Sequence, residues 1–120
     1  MESRGQIHVA DQVVAMIAGV SANEIPGVLA ASGGIYEDLT KIISRKTPAR
    51  GIEVRIYEDY TVIDMRVKIM FGMRIDRACR MVQEKVKEDV ETFTGLQVRE
   101  VNIRVEGIIL QTEEKIEQSS

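Results

Sequence analysis

Two runs of alternating hydrophobicity, joined by a short polar turn, limit what this chain can fold into more than any other feature. Ile52, Val54 and Ile56 alternate with Glu53, Arg55 and Tyr57. After Glu58-Asp59-Tyr60, a second run of Ile63, Met65, Val67, Ile69 and Phe71 alternates with Asp64, Arg66 and Lys68. A period of two puts each apolar set on one side of a strand, and the polar turn between them predicts an antiparallel hairpin. One side of that hairpin is apolar and the other polar, so helices are expected on one face only. Gly72 ends the second strand.

The period then changes. From Asp76 to Thr94 the apolar residues are Ala78, Cys79, Val82, Val86, Val90 and Phe93, spaced as on one face of a helix. Gly95 stands where a left-handed residue closes such a helix, with Leu96 placed to fold back onto Val90. Val98, Val101, Ile103 and Val105 form a last strand, and the break in alternation at Arg99-Glu100 reads as a bulge.

Upstream, Ile7 and Val9 alternate with Gln6 and His8 and read as a short first strand. Asp11 opens a helix carrying Val13, Val14, Met16, Ile17, Ala18 and Val20, apolar around most of its girth; such a helix is buried on several sides or meets another subunit. It stops near Ile25, before Pro26. Residues 28–31 read as a short strand or a loop. Gly33-Gly34 is a break, Ile35, Tyr36, Leu39, Ile42 and Ile43 recur at helical spacing, and Ser44 to Gly51 is a basic loop.

The expected order, β-α-(β)-α-β-β-α-β, is α/β (α+β): a two-layer sandwich in which helices pack on one face of a small mixed sheet. A chain of 120 residues has room for one domain. We place it at residues 5–110, between a disordered start at 1–4 and a disordered acidic tail at 111–120. No apolar run approaches the length of a membrane span, and Met1 to Gly5 lack a signal-peptide layout, so a cytoplasmic protein is expected.

The chemistry-bearing residues are few. With one cysteine and one histidine, the chain has neither a disulfide framework nor a Cys-clustered or paired-histidine metal site. Cys79 lies on the apolar phase of the long helix and reads as a small hydrophobe; His8 lies on the polar phase of the first strand. Gly33-Gly34 precedes a helix, but neither G-x-x-x-x-G-K-[ST] nor G-x-G-x-x-G is present. The acids of the long helix, Glu84, Glu88, Asp89 and Glu91, mix with Arg80, Lys85 and Lys87 as on a solvated face. No catalytic, cofactor-binding or metal-binding residue is assigned, and no enzyme is expected.

Surface features remain. Arg74, Arg77 and Arg80 crowd the start of the long helix and acids crowd its end, the reverse of what the helix dipole favours. These arginines are candidates for an external or cross-subunit acidic contact. Met70, Phe71 and Met73, at the strand–helix junction, are candidates for an exposed apolar patch. The polar side of the sheet carries Arg55, Tyr57, Arg66, Lys68, Asn102 and Arg104 against Glu53 and Asp64. With a formal net charge of −3 and one aromatic on that face, nucleic acid is disfavoured as a partner.

Several ordered blocks resemble one family. Phe71-Gly72-Met73-Arg74-Ile75, Val82-Gln83-Glu84-Lys85-Val86-Lys87, Thr94-Gly95-Leu96-Gln97-Val98 and Val101-Asn102-Ile103-Arg104-Val105-Glu106-Gly107 resemble the C-terminal signature of the alkaline shock, or envelope stress response, proteins of Gram-positive bacteria. Ala10-Asp11-Gln12-Val13-Val14-Ala15-Met16-Ile17-Ala18-Gly19, Glu24-Ile25-Pro26-Gly27-Val28 and Ser32-Gly33-Gly34 agree with it. Asp76 stands where relatives often carry proline. The resemblance implies a small non-enzymatic protein of cell-envelope homeostasis and stress, without cofactor. It implies homo-oligomers, and attachment to the membrane through an anchoring partner rather than a span. An alternative implied role is regulation of a metabolic enzyme, such as a biotin-dependent carboxylase of fatty-acid synthesis.

Overall fold

The computed structural model describes residues 5–30 and 51–110. Their elements are α1 (Asp11–Asn23), β1 (Val28–Ala30), β2 (Ile52–Ile56), β3 (Thr61–Met70), α2 (Ile75–Thr94) and β4 (Val98–Ile109). The expectations for 1–4, 31–50 and 111–120, including the Gly33-Gly34 break, the second amphipathic helix and the acidic tail, lie outside the described residues.

β3 is the spine of the sheet. On one side it pairs antiparallel with β1, through Val28↔Ile69 to Ala30↔Val67, and with β2, through Ile52↔Met65 to Ile56↔Thr61. β1 and β2 thus lie end to end along the same side. On the other side β3 pairs parallel with β4, from Thr61↔Val98 to Met70↔Ile109. The sheet is mixed, as expected, because a hairpin reverses the chain at 57–60 while α2 carries it back for a parallel return.

The two-residue period of β3 sets the layers. Thr61, Ile63, Met65, Val67 and Ile69 are all buried and face the helices. Their core partners are Val14, Ala15, Ala18 and Ala22 of α1 and Ala78, Val82, Val86 and Val90 of α2. α1 and α2 run antiparallel on that one face: Ser21 meets Asp89, and Glu24 meets Lys85. The opposite face carries Glu53, Arg55, Asp64, Arg66, Lys68, Asn102 and Arg104 at mutually registered positions.

Sequence signals at element ends held. Gly95 is left-handed (φ 79°) and its N–H bonds the Glu91 carbonyl, while Leu96 packs against the core. The ladder steps from Thr61↔Val98 to Val62↔Glu100, which leaves Arg99 as the bulge. Residues 28–30 form strand rather than loop.

Three expectations are corrected. Residues 7–9 form no strand, and Ile7 is 92% exposed. Two apolar residues are too short a run to hold a ladder, and Val9 instead packs against the core one residue before the Ala10 cap of α1. Phe93 is 71% exposed, because the buried stripe of α2 has already turned past it at Val90. β4 continues beyond Val105 to Ile109, after a second register step that leaves Glu106 outside the ladder.

Candidate functional site

The candidate residues Met70, Phe71, Met73, Arg74, Arg77 and Arg80 converge at one end of the molecule, where β3 stops and α2 starts. Met70 N–H bonds the Gly27 carbonyl (2.8 Å) and Phe71 N–H bonds the Ile109 carbonyl (2.8 Å), so β1, β3 and β4 are tied together there. Gly27 has φ 83°, and a Cβ on it would collide with the Met73 thioether. Met73 is therefore a half-buried plug against the core, and Met70 is half-buried too. Phe71 alone of the three projects outward, at 71% exposure. It is joined by Ile75, Ile108 and Leu110, each 44–49% exposed, which the sequence reading did not single out. For Ile108 and Leu110 the signal was the apolar run at 108–110, continuing β4 past the point where the helices cover it.

Arg74 stands at the N-cap position of α2 without a capping side-chain hydrogen bond, and its guanidinium pairs with Asp76 (3.1 Å). Asp76 Oδ1 also accepts the Arg77 N–H at 2.8 Å. The Arg74 hydrogen bonds, then that backbone N–H, hold the Asp76 carboxyl below its ordinary range. Asp76 thus relieves the charge-order conflict for Arg74, while Arg77 and Arg80 have no ion pair among the described residues.

On the sheet face that no described element covers, Asp64 accepts from Asn102 (2.8 Å) and pairs with Arg55 (2.6 Å). The Asn102 hydrogen bond, followed by Arg55, lowers the Asp64 pKa. A shallow depression of about 580 Å³ lies over this face, bounded by Gly51, Glu53, Asp64, Arg66, Asn102 and Arg104. Tyr57 stands apart from it at the hairpin turn, where its ring lies 4.9 Å from that of Tyr60 and Arg99 caps Tyr60.

A third cluster joins the helices. Ser21 Oγ, buried in α1, donates to Asp89 Oδ2 at 2.6 Å, and Lys85 bridges Asp89 and Glu24 at 3.1 Å each. Ser21 chiefly, then Lys85, lowers the Asp89 pKa. This is a structural latch. Sequence reading treated Asp89 as part of a solvated face, since nothing in one helix shows that Ser21 on another will meet it.

Cys79 is half-buried, and burial raises its thiol pKa. His8, ahead of α1, bonds only Gln6 among the described residues. The antiparallel helices put the two at opposite ends of the molecule, so they form no pair. Among the described residues no group of three His, Cys, Asp or Glu side chains is placed to hold a metal ion. No helix there is long and apolar enough to cross a membrane.

A family model, that of the alkaline shock protein 23 family with cell envelope-related function, matches residues 1–110. The chain belongs to that family. Among its relatives, "Uncharacterized protein YloU" of Bacillus subtilis (strain 168) is 36% identical over 106 residues, covering 87% of this chain and 88% of its own. "Uncharacterized protein YqhY" of the same strain is 28% identical over 108 residues, covering 90% and 80%. A "Stress response regulator gls24 homolog" of Streptococcus pyogenes serotype M3 (strain ATCC BAA-595 / MGAS315) is 25% identical over 115 residues, covering 95% and 63%. No solved structure matches. The family agrees with the resemblance carried by the Phe71–Ile75 and Val101–Gly107 blocks, and it supplies a cell envelope-related, stress-response setting for the surfaces just described.

Proposed function

We propose that this protein is a non-enzymatic interaction module of a cell envelope-related stress response, acting through self-association and protein contacts. The observation that carries the reading is the exposed apolar end. Phe71, Ile75, Ile108 and Leu110 are all large and all 44% exposed or more, and four of the ten exposed large apolar side chains among the described residues are thus drawn to the end where β3 stops, α2 starts and β4 ends. A contiguous apolar surface rimmed by charge is what protein contacts bury. Arg74, Arg77 and Arg80 supply the rim and bias the partner surface toward acidic residues.

Sedimentation velocity over a concentration series tests this. The wild type forms concentration-dependent oligomers, and Phe71→Ser weakens them while leaving the urea midpoint unchanged. A wild type that stays monomeric to high concentration, and binds no protein partner through this end in cross-linking from the native cell, refutes the reading.

A further inference from the structure

Each broad face of the molecule carries one charged cluster with no ion pair among the described residues, cationic on the sheet and acidic on α2, and we propose that these clusters meet between copies: the sheet face built by Arg66, Lys68 and Arg104 receives the Glu84–Glu88 flank of α2 from a second copy. This rests on the self-association reading above and adds to the apolar end a second contact between copies.

Arg66 and Arg104 are register partners across β3 and β4, so their side chains leave the same face from strands about 4.8 Å apart. Lys68 follows on that face, with its stem against Gly107, where a Cβ would sit 3.4 Å from Lys68 Cγ. Like charges directly opposed across a ladder are destabilising. None of these three cations has an ion pair or side-chain hydrogen bond among the described residues. The nearest carboxylate in register, Asp64, is taken by Arg55 and Asn102. Glu106, pushed out of the ladder at the second bulge, pairs with none of them.

The outer face of α2 is the complement. Glu84 and Glu88 stand one turn apart, both exposed and both without an ion pair among the described residues. Their Cα atoms are separated by about 6 Å along the helix. Arg66 and Lys68 are about 6.6 Å apart along β3, so one acidic pair spans the cationic pair. The match extends further. Arg77 and Arg80, without an ion pair among the described residues, lie on α2 before the acids; on the sheet face Glu53, 3.9 Å from Arg55, and Glu100, which accepts from Asn102, lie before the cations. Centre to centre the two charge blocks are about 11 Å apart on the helix and about 13 Å apart on the strand. Charge agreement over both blocks requires the second copy's α2 to run parallel to β3, whereas the chain's own α2 runs against it. The neighbouring copy is therefore turned end for end. Covering with a helix a sheet face that no described element covers is the ordinary way to complete a layer. The two faces lie on opposite sides of the molecule, so a pair joined by one contact still presents one face of each kind.

Charge reversal with complementation tests the assignment. A sheet variant carries Arg66→Glu and Arg104→Glu; a helix variant carries Glu84→Lys and Glu88→Lys. Each alone associates at least tenfold more weakly than wild type at low salt, and an equimolar mixture recovers association, because each then meets the opposite sign. Wild-type association falls steeply as salt is raised. Circular dichroism confirms folding, and the milder pair Arg66→Gln and Glu88→Gln gives the same direction if a reversal unfolds. Variants that associate like wild type, or a mixture no better than its components, overturn the assignment. If association survives both reversals but is lost in Phe71→Ser, self-association stands and this pairing of faces falls. A wild type that is monomeric throughout overturns both. Binding of phosphatidylglycerol vesicles through Arg66 and Arg104 by a monomeric wild type gives the face to a different polyanion and equally overturns the pairing.

Discussion

Removing Ser21 Oγ isolates one interaction that joins the two helices. The hydroxyl is buried and donates to Asp89 at 2.6 Å, a short charge-assisted bond. Hydrogen bonds to charged groups contribute about 1.5–3 kcal/mol net. The Asp89 side chain is 21% exposed, so water replaces part of what Ser21 gives, and the lower end applies: about 1.5 kcal/mol of coupling. For a urea m-value of about 1.5 kcal/mol/M this lowers the midpoint of Ser21→Ala by about 1 M. The coupling depends on pH with a definite sign. The Asp89 carboxyl has a folded pKa below its unfolded value, with Ser21 as the first cause and Lys85 contributing after it. Its stabilisation is therefore complete above the ordinary carboxylate range near pH 4 and is lost as pH falls through the depressed folded value. A double-mutant cycle of Ser21→Ala and Asp89→Ala, by urea unfolding at pH 7 and again below pH 3, measures both. A coupling near zero at pH 7 would show that the latch does not bear on stability, and one of equal size in acid would show that the Asp89 charge does not carry it.

Other outcomes follow from the same structure. Gly27→Ala and Gly95→Ala each force a side chain into a left-handed conformation, costing about 1–2 kcal/mol; Gly27→Ala costs more, because only there must Met73 also move, and urea midpoints rank the two. Ile69→Ala, at a fully buried position, loses about 3 kcal/mol in the same assay, while Phe71→Ser stays within about 0.5 kcal/mol. In an NMR titration the Asp64 carboxyl titrates below its ordinary range, and Asn102→Ala moves it upward, since Asn102 is the first cause of the depression.

The elements whose information is local were legible in the sequence. Alternation from Ile52 to Phe71 located the hairpin and its two faces, and Gly95 marked the end of α2 in the correct conformation. The bulge at Arg99 was visible because it breaks a run of valines and isoleucines; the one at Glu106 was not, because Gly107 presents no side chain to fall out of phase. Parallel pairing of β4 with β3, and the end-to-end placement of β1 and β2, depend on contacts between distant residues and left no periodic trace. Phe93 was misplaced because residue type and spacing do not reveal which edge of a helical stripe remains uncovered. Of the candidate site, the junction and its arginines were legible. Ile75, Ile108 and Leu110 joined it only when the strand ends were brought together.

The tandem placement of β1 and β2 has a consequence for how this family can diversify. Ala30 sits opposite Val67, and the Gly51 carbonyl accepts from the next residue down β3, Arg66, so the chain leaves and re-enters one rail of the sheet at neighbouring rungs. Each half of the rail is anchored to β3 by its own bonds. Each half can therefore hold its own rungs on β3 while the sequence joining the two changes.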